Sequence, residues 1–133
     1  TLKNVLNAGD HGSTFGGNYL STRAVCEVVD ILNESKASGA LERTSAIFNE
    51  ALESFYQQHT DVFTQKVGIG MMCGLRTRDA ETLANVINLA RESGVMVLRA
   101  GRNTLRFLPP LTITKEEIDE GFDALESAIS KLK

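Results

Sequence analysis

The sequence predicts an α+β domain in which helices pack on a small, mostly antiparallel sheet. Two observations carry that prediction. Four stretches place apolar residues at helical spacing while three show the alternation or β-branched content of strands, and the order after the opening is α, α, β, α, β, β, α with no internal repeat. Length and composition agree, since 133 residues with 42% hydrophobic and 23% charged side chains can bury one core without disulfide or metal staples.

Each element has its own warrant. Over residues 19–35, Leu20, Ala24, Val28 and Leu32 recur at steps of four, Val25 and Val29 widen the stripe, and Asn18 is placed to accept from the free amides of the first turn. Ser38 and Gly39 break the pattern. A second helix follows to about Gln58, with Leu41, Phe48, Leu52 and Phe55 on one face. Residues 66–75 alternate as a single strand, with Val67, Ile69, Met71, Cys73 and Leu75 on one side and Gly68, Gly70, Met72 and Gly74 on the other. Glycines on one strand face imply that a helix or a neighbouring domain lies very close to that backbone. Residues 79–93 return to helical spacing through Leu83, Val86, Ile87 and Ala90, and Gly94 stands at the C-terminal cap. A short strand from Val95 to Leu98, turn chemistry at 100–103 and a strand over 104–108 make a hairpin, in which Arg106 faces away from Leu105 and Phe107 and Pro109 and Pro110 end the run. The last helix has the clearest start: Thr114 and Glu117 form a capping box, Ile113 and Ile118 a hydrophobic staple, and Ile118, Phe122, Leu125, Ile129 and Leu132 a continuous stripe.

Composition narrows the function. Fourteen basic against 17 acidic residues give a net charge of −3, so the electrostatic footprint of a nucleic-acid binder is missing. No apolar run approaches a membrane span and no signal core is present. Cys26 and Cys73 lie far apart without a CxxC, and with only two histidines a zinc site has too few ligands; both read as buried, reduced thiols suited to the cytoplasm. The chain begins at Thr1 without an initiator Met and reads as the interior of a longer protein.

Chemistry concentrates in two places. Gly9, Gly12, Gly16 and Gly17 crowd the opening, where Asp10-His11-Gly12-Ser13-Thr14 joins hydroxyls and glycines to a helix start. Convergent amides and a helix N-terminus suit a phosphate, although an ordinary turn has the same composition, and neither a P-loop nor a GxGxxG spacing is present. Arg106, flanked by Leu105 and Phe107, is costly on a strand unless paired, and its planar fork of donors matches a carboxylate. His11 reads as a residue that shapes the loop. His59 has no visible partner and reads as exposed, as do Arg99, Arg102 and the charged run from Arg76 to Asp79.

Three segments together carry a resemblance. Gly-Asp-His-Gly-Ser-Thr-Phe-Gly-Gly-Asn at 9–18, Gly-Val-Met-Val-Leu-Arg-Ala-Gly at 94–101, and Leu-Arg-Phe-Leu-Pro-Pro-Leu-Thr-Ile-Thr at 105–114 stand in the order found near the end of class III pyridoxal-phosphate aminotransferases of the acetylornithine/ornithine kind, which the chain resembles from about Ala8 onward. The resemblance implies that residues 1–18 end the large cofactor domain, 19–35 form a connecting helix and 36–133 form the C-terminal small domain of a fold-type-I enzyme. It also implies a homodimer in which loop 9–18 reaches the partner's active site. There Thr14 would bind the phosphate of pyridoxal phosphate, Ser13 would lie beside it and contact the amino-acid substrate, and Arg106 would hold the substrate carboxylate. The implied reaction moves the side-chain amino group of N-acetylornithine to 2-oxoglutarate, a step of arginine biosynthesis. Tyr19 stands where that family commonly has Pro, so a preset angle is lost from the helix start while the Asn18 cap remains. The cofactor-bearing lysine of the family lies upstream of the Gly-Ser-Thr segment, and none of Lys3, Lys36, Lys66, Lys115, Lys131 or Lys133 has that context, so the chain alone is expected to be inactive. The rival reading is a stand-alone α+β module that binds a phosphate-bearing ligand or a protein partner without catalysis.

Overall fold

The computed structural model describes residues 9–132, and the chain divides into two compact units between Ser38 and Gly39. The first unit holds loop 9–18 and helix α1 (Tyr19–Ala37), which runs two residues beyond the expected end. Asn18 caps it as expected: its Oδ1 accepts from the Ser21 amide at 3.0 Å and its Nδ2 donates to the Phe15 carbonyl at 2.5 Å. No residue of α1 is buried, which corrects the reading of Cys26 as a buried thiol.

The second unit runs α2 (Ala40–Gln58), β1 (Phe63–Ile69), β2 (Met72–Thr77), α3 (Ala80–Glu92), β3 (Leu98–Ala100), β4 (Thr104–Phe107) and α4 (Lys115–Ser130). The four strands form one antiparallel sheet in the order β1-β2-β4-β3. One face carries Cys73, Leu75, Leu105 and Phe107, which join Phe48, Leu52 and Phe55 of α2, Leu83 and Val86 of α3, and Ile118, Leu125 and Ile129 of α4 in a single buried cluster. Burying these side chains is the main stabilising contribution, each worth about 1.5–3 kcal/mol. Register places Val67, Ile69, Met72, Gly74, Arg76, Leu98, Thr104 and Arg106 on the opposite, open face, where Ile69 is 85% exposed.

Two expectations need correction. Residues 66–75 are not one strand, because Gly70 and Met71 turn the chain between the paired residues Ile69 and Met72. Gly70 has φ 61° and Met71 an ordinary φ, the combination a type II′ hairpin turn requires and only glycine adopts easily at its first position. The turn separates Val67 and Ile69, on the open face, from Cys73 and Leu75, on the helix face; Gly68 and Gly74 likewise part company. The second correction concerns Val95–Val97, which precede β3 as irregular chain; the strand begins at Leu98. The β3–β4 hairpin itself forms, with Arg102 and Asn103 at φ 56° and 53° in its turn.

The last helix starts as its sequence says. Thr114 Oγ1 accepts from the Glu117 amide at 3.2 Å while Glu117 Oε2 accepts from the Thr114 amide at 2.8 Å. Among the described residues no helix is long and apolar enough to cross a membrane.

Candidate active site

Arg106 occupies the third position of β4, between Gly74 of β2 on one side and Leu98 of β3 on the other. Its neighbours Leu105 and Phe107 are drawn into the core, and strand alternation therefore drives the arginine to the open face. The side chain is half-buried, and its Nε is buried without a hydrogen-bond partner among the described residues. An unpaired buried donor of a cation costs on the order of 1–3 kcal/mol or more, and the described residues supply no acceptor for it. Arg76, on the same face of β2, also has a buried Nε without partner, but its Nη1 donates to Gln65 Oε1 at 2.7 Å. It is therefore half-buried rather than solvated as expected. Arg99 and Arg102 are exposed.

Ser13 and Thr14 belong to the first unit, in a loop exposed throughout. The Gly16 amide donates to the Ser13 carbonyl at 3.3 Å, and a Cβ at Gly16 would crowd Ser13 Oγ at 2.8 Å, so glycine there lets the loop fold over the serine. Neither hydroxyl has a hydrogen-bond partner among the described residues. Two free neutral hydroxyls on a glycine-rich turn ahead of a helix N-terminus are a donor set that fits a phosphate. Among the described residues the carbonyl end of pyridoxal phosphate finds no such fit: Lys66 is paired with Glu53 at 2.7 Å and Lys115 with Asp119, Lys131 donates to Ser93 Oγ, and Lys36 is exposed.

Several other titratable groups are engaged within the fold. His59, expected to be exposed, is buried at the C-terminal cap of α2; its Nε2 donates to Glu126 Oε2 of α4 at 2.6 Å and its ring lies 4.6 Å from that of Phe55. Asp79, expected to be solvated, caps α3, and the Thr82 amide beside it holds its carboxyl below the usual range. Lys66 does the same for Glu53. His11 is exposed in the loop. Among the described residues no group of three His, Cys, Asp or Glu side chains could hold a metal ion. An apolar groove of about 280 Å³ lies among Phe48, Val97, Phe107, Pro110, Ile118 and Phe122, and its one charged wall residue, Glu117, is committed to the cap of α4.

Residues 1–129 match the aminotransferase class-III family. The chain belongs to the class-III aminotransferases. The acetylornithine aminotransferase of Wolinella succinogenes is 46% identical over 129 residues, which are 97% of this chain and 33% of that protein. The mitochondrial acetylornithine aminotransferase of Debaryomyces hansenii is 34% identical over 131 residues, 98% of this chain and 28% of its own length. This class-III chain thus spans about a third of the length of the curated relatives it matches. Among solved structures, the ornithine aminotransferase of Toxoplasma gondii superposes with a TM-score of 0.73 at 27% identity, over 96% of this chain and 31% of that one. The N-acetylornithine aminotransferase of Stenotrophomonas maltophilia gives 0.63 at 29% identity, over 74% and 27%.

Proposed function

We propose that this chain is the phosphate-loop and carboxylate-recognising third of a pyridoxal-phosphate-dependent aminotransferase that moves the side-chain amino group of N-acetylornithine to 2-oxoglutarate. The observation that carries the reading is Arg106, whose guanidinium lies on the open face of the sheet with its Nε buried and without a partner among the described residues, in a chain of this family. In this reading residues 1–18 close the large cofactor domain, 19–35 connect, and 36–133 form the small domain of a cytoplasmic homodimer. Residues 1–8 of the first segment lie outside the described residues.

Bound pyridoxal phosphate supplies the carbonyl-bearing ring that carries an amino group from one substrate to the other. The residues of this chain bind and orient. Thr14, with Ser13 beside it, offers neutral hydroxyls to the phosphate of the partner subunit's cofactor, holding a dianion without consuming a titratable group. Ser13 also faces the amino-acid substrate. Arg106 takes the substrate carboxylate in a two-pronged grip, which fixes both position and plane; a lysine at that place would hold the charge without the orientation.

Steady-state kinetics of the full-length enzyme test this. Arg106→Gln should raise KM for 2-oxoglutarate about tenfold to a hundredfold, the equivalent of losing about 1.5–3 kcal/mol of hydrogen bonding to a charged group. An unchanged KM overturns the role of Arg106. Comparing N-acetylornithine, ornithine, succinylornithine and 4-aminobutyrate as donors tests the substrate, and preference for any of the last three overturns that part.

A further inference from the structure

Gly74 is buried and lies directly across the β2–β4 ladder from Arg106, on the face that carries the guanidinium. No side chain fits there. A Cβ at this position would fall well inside contact with Thr104 Cγ2, 3.0 Å from the Leu105 carbonyl oxygen and 3.5 Å from Val67 Cγ2. The space that any other residue would fill at 74 is taken by the methyl of Thr104, which shares the open face with Arg106 two positions along β4. Thr104 is itself buried, and its Oγ1 points to the Arg102 carbonyl at 3.4 Å. A β-branched side chain packed in this way has little freedom at χ1, so a group pushed against the methyl displaces the strand sooner than it rotates the threonine. Arg106 has no acceptor among the described residues to anchor it. Its guanidinium therefore takes its place from the backbone of β4, and beside it on that face the Thr104 methyl fills the space left over Gly74, so that a side chain at 74 would push against β4.

We propose that Gly74 is a positioning residue for Arg106, and that Gly74 and the Thr104 methyl form a packing key that sets where the carboxylate-binding guanidinium stands. The proposal rests on the role given to Arg106 above. It deepens that reading by saying why a glycine is placed opposite the arginine: a two-pronged grip on a planar carboxylate tolerates little displacement, and shifts of about 1 Å can cost up to a hundredfold.

A methyl group can be moved across the key without changing its volume, and this gives the test. Gly74→Ala adds one, Thr104→Ser removes one and keeps the hydroxyl, and the double variant transfers it from one strand to the other. In the full-length enzyme, Gly74→Ala should raise KM for 2-oxoglutarate about tenfold with kcat retained. Thr104→Ser should give a smaller rise, and the double variant should return KM to near its starting value. A merely structural defect lowers the fraction of folded enzyme, hence kcat, and leaves KM alone. An unchanged KM in Gly74→Ala, or a double variant that keeps the raised KM, overturns the key. Should Gly74→Ala not fold, Thr104→Ser and the double variant decide alone, and the key falls if their KM values do not differ. Arg106→Gln measured alongside separates the two claims. If it raises KM while Gly74→Ala does not, only the key is wrong; if it leaves KM unchanged, the reading of Arg106 and the key fall together.

Discussion

Cys26 and Cys73 are the same chemical group in two environments, and the difference is measurable. Cys73 Sγ, on β2, sits in the core with its one S–H in reach of the Gly70 carbonyl at 3.3 Å and Asn49 Oδ1 at 3.5 Å, and burial pushes its thiol above the ordinary value. Cys26 lies on the exposed surface of α1. Since the thiolate is the reactive form, iodoacetamide at about pH 8 should label Cys26 of the 133-residue chain alone, and Cys73 only after denaturant is added. Mass spectrometry of the two peptides reads the result, and equal labelling under native conditions refutes it. The sequence did not separate the two thiols because an apolar stripe reports a face without reporting what covers it. His59 escaped for a related reason. Its partner Glu126 is 67 residues away, and no local pattern joins them. Arg106 was legible because its two neighbours in the strand are both core residues, which leaves one direction for the side chain. Gly74 and Thr104 show the reverse case: each is unremarkable in its own segment and acquires meaning only when β2 and β4 pair.

At the scale of elements, helix starts were legible wherever the signal was a few residues long, as at Asn18 and in the Thr114–Glu117 box. Asp79 belongs to the same class but was submerged in a run of charges. Its cap makes the stability of α3 depend on acid. The Thr82 amide, donating to Asp79 Oδ1 at 2.7 Å, lowers the folded-state pKa of the carboxyl below its unfolded value of about 3.9. The ionised cap therefore stabilises the fold above that unfolded value, and the contribution is lost as pH falls through the lower folded one. Asparagine caps a helix about as well and does not titrate in this range. Asp79→Asn should thus unfold in urea near the same midpoint at pH 7, and show a shallower loss of midpoint than the parent chain between about pH 5 and pH 2. Parallel curves across that window count against the cap as an acid-sensitive contact. The hairpin of β1 and β2 was hidden for a different reason. Gly-Ile-Gly-Met-Met-Cys-Gly-Leu contains no polar residue to mark which side of each strand is dry, so a two-residue turn in its middle leaves no trace in the alternation.

At the scale of the whole molecule, the question is how much of the chemistry a third of an aminotransferase can carry. The lysine that bonds covalently to a carbonyl cofactor has to be unprotonated when it attacks, which proteins arrange by desolvating it or placing another cation beside it. The described lysines are set up in the opposite way. Lys115 donates to Asp119, which raises its pKa above the ordinary value, and Lys66 faces the Glu53 carboxylate. Lys131 donates to Ser93 Oγ at 3.3 Å and Lys36 is exposed in the last turn of α1. Lys3 and Lys133 lie outside the described residues, and neither has the sequence context of a cofactor lysine. In the proposed reading the loop hydroxyls and Arg106 hold charged ends of small molecules, and recognition of that kind does not make or break a bond. The 133-residue chain mixed with pyridoxal phosphate and treated with borohydride should therefore yield no stoichiometric, site-specific lysine adduct by mass spectrometry and no transamination of N-acetylornithine. A single lysine fixed in full yield would mean that one of these side chains loses its proton in a setting other than the ion pairs described, and the division of labour argued for this chain would be wrong.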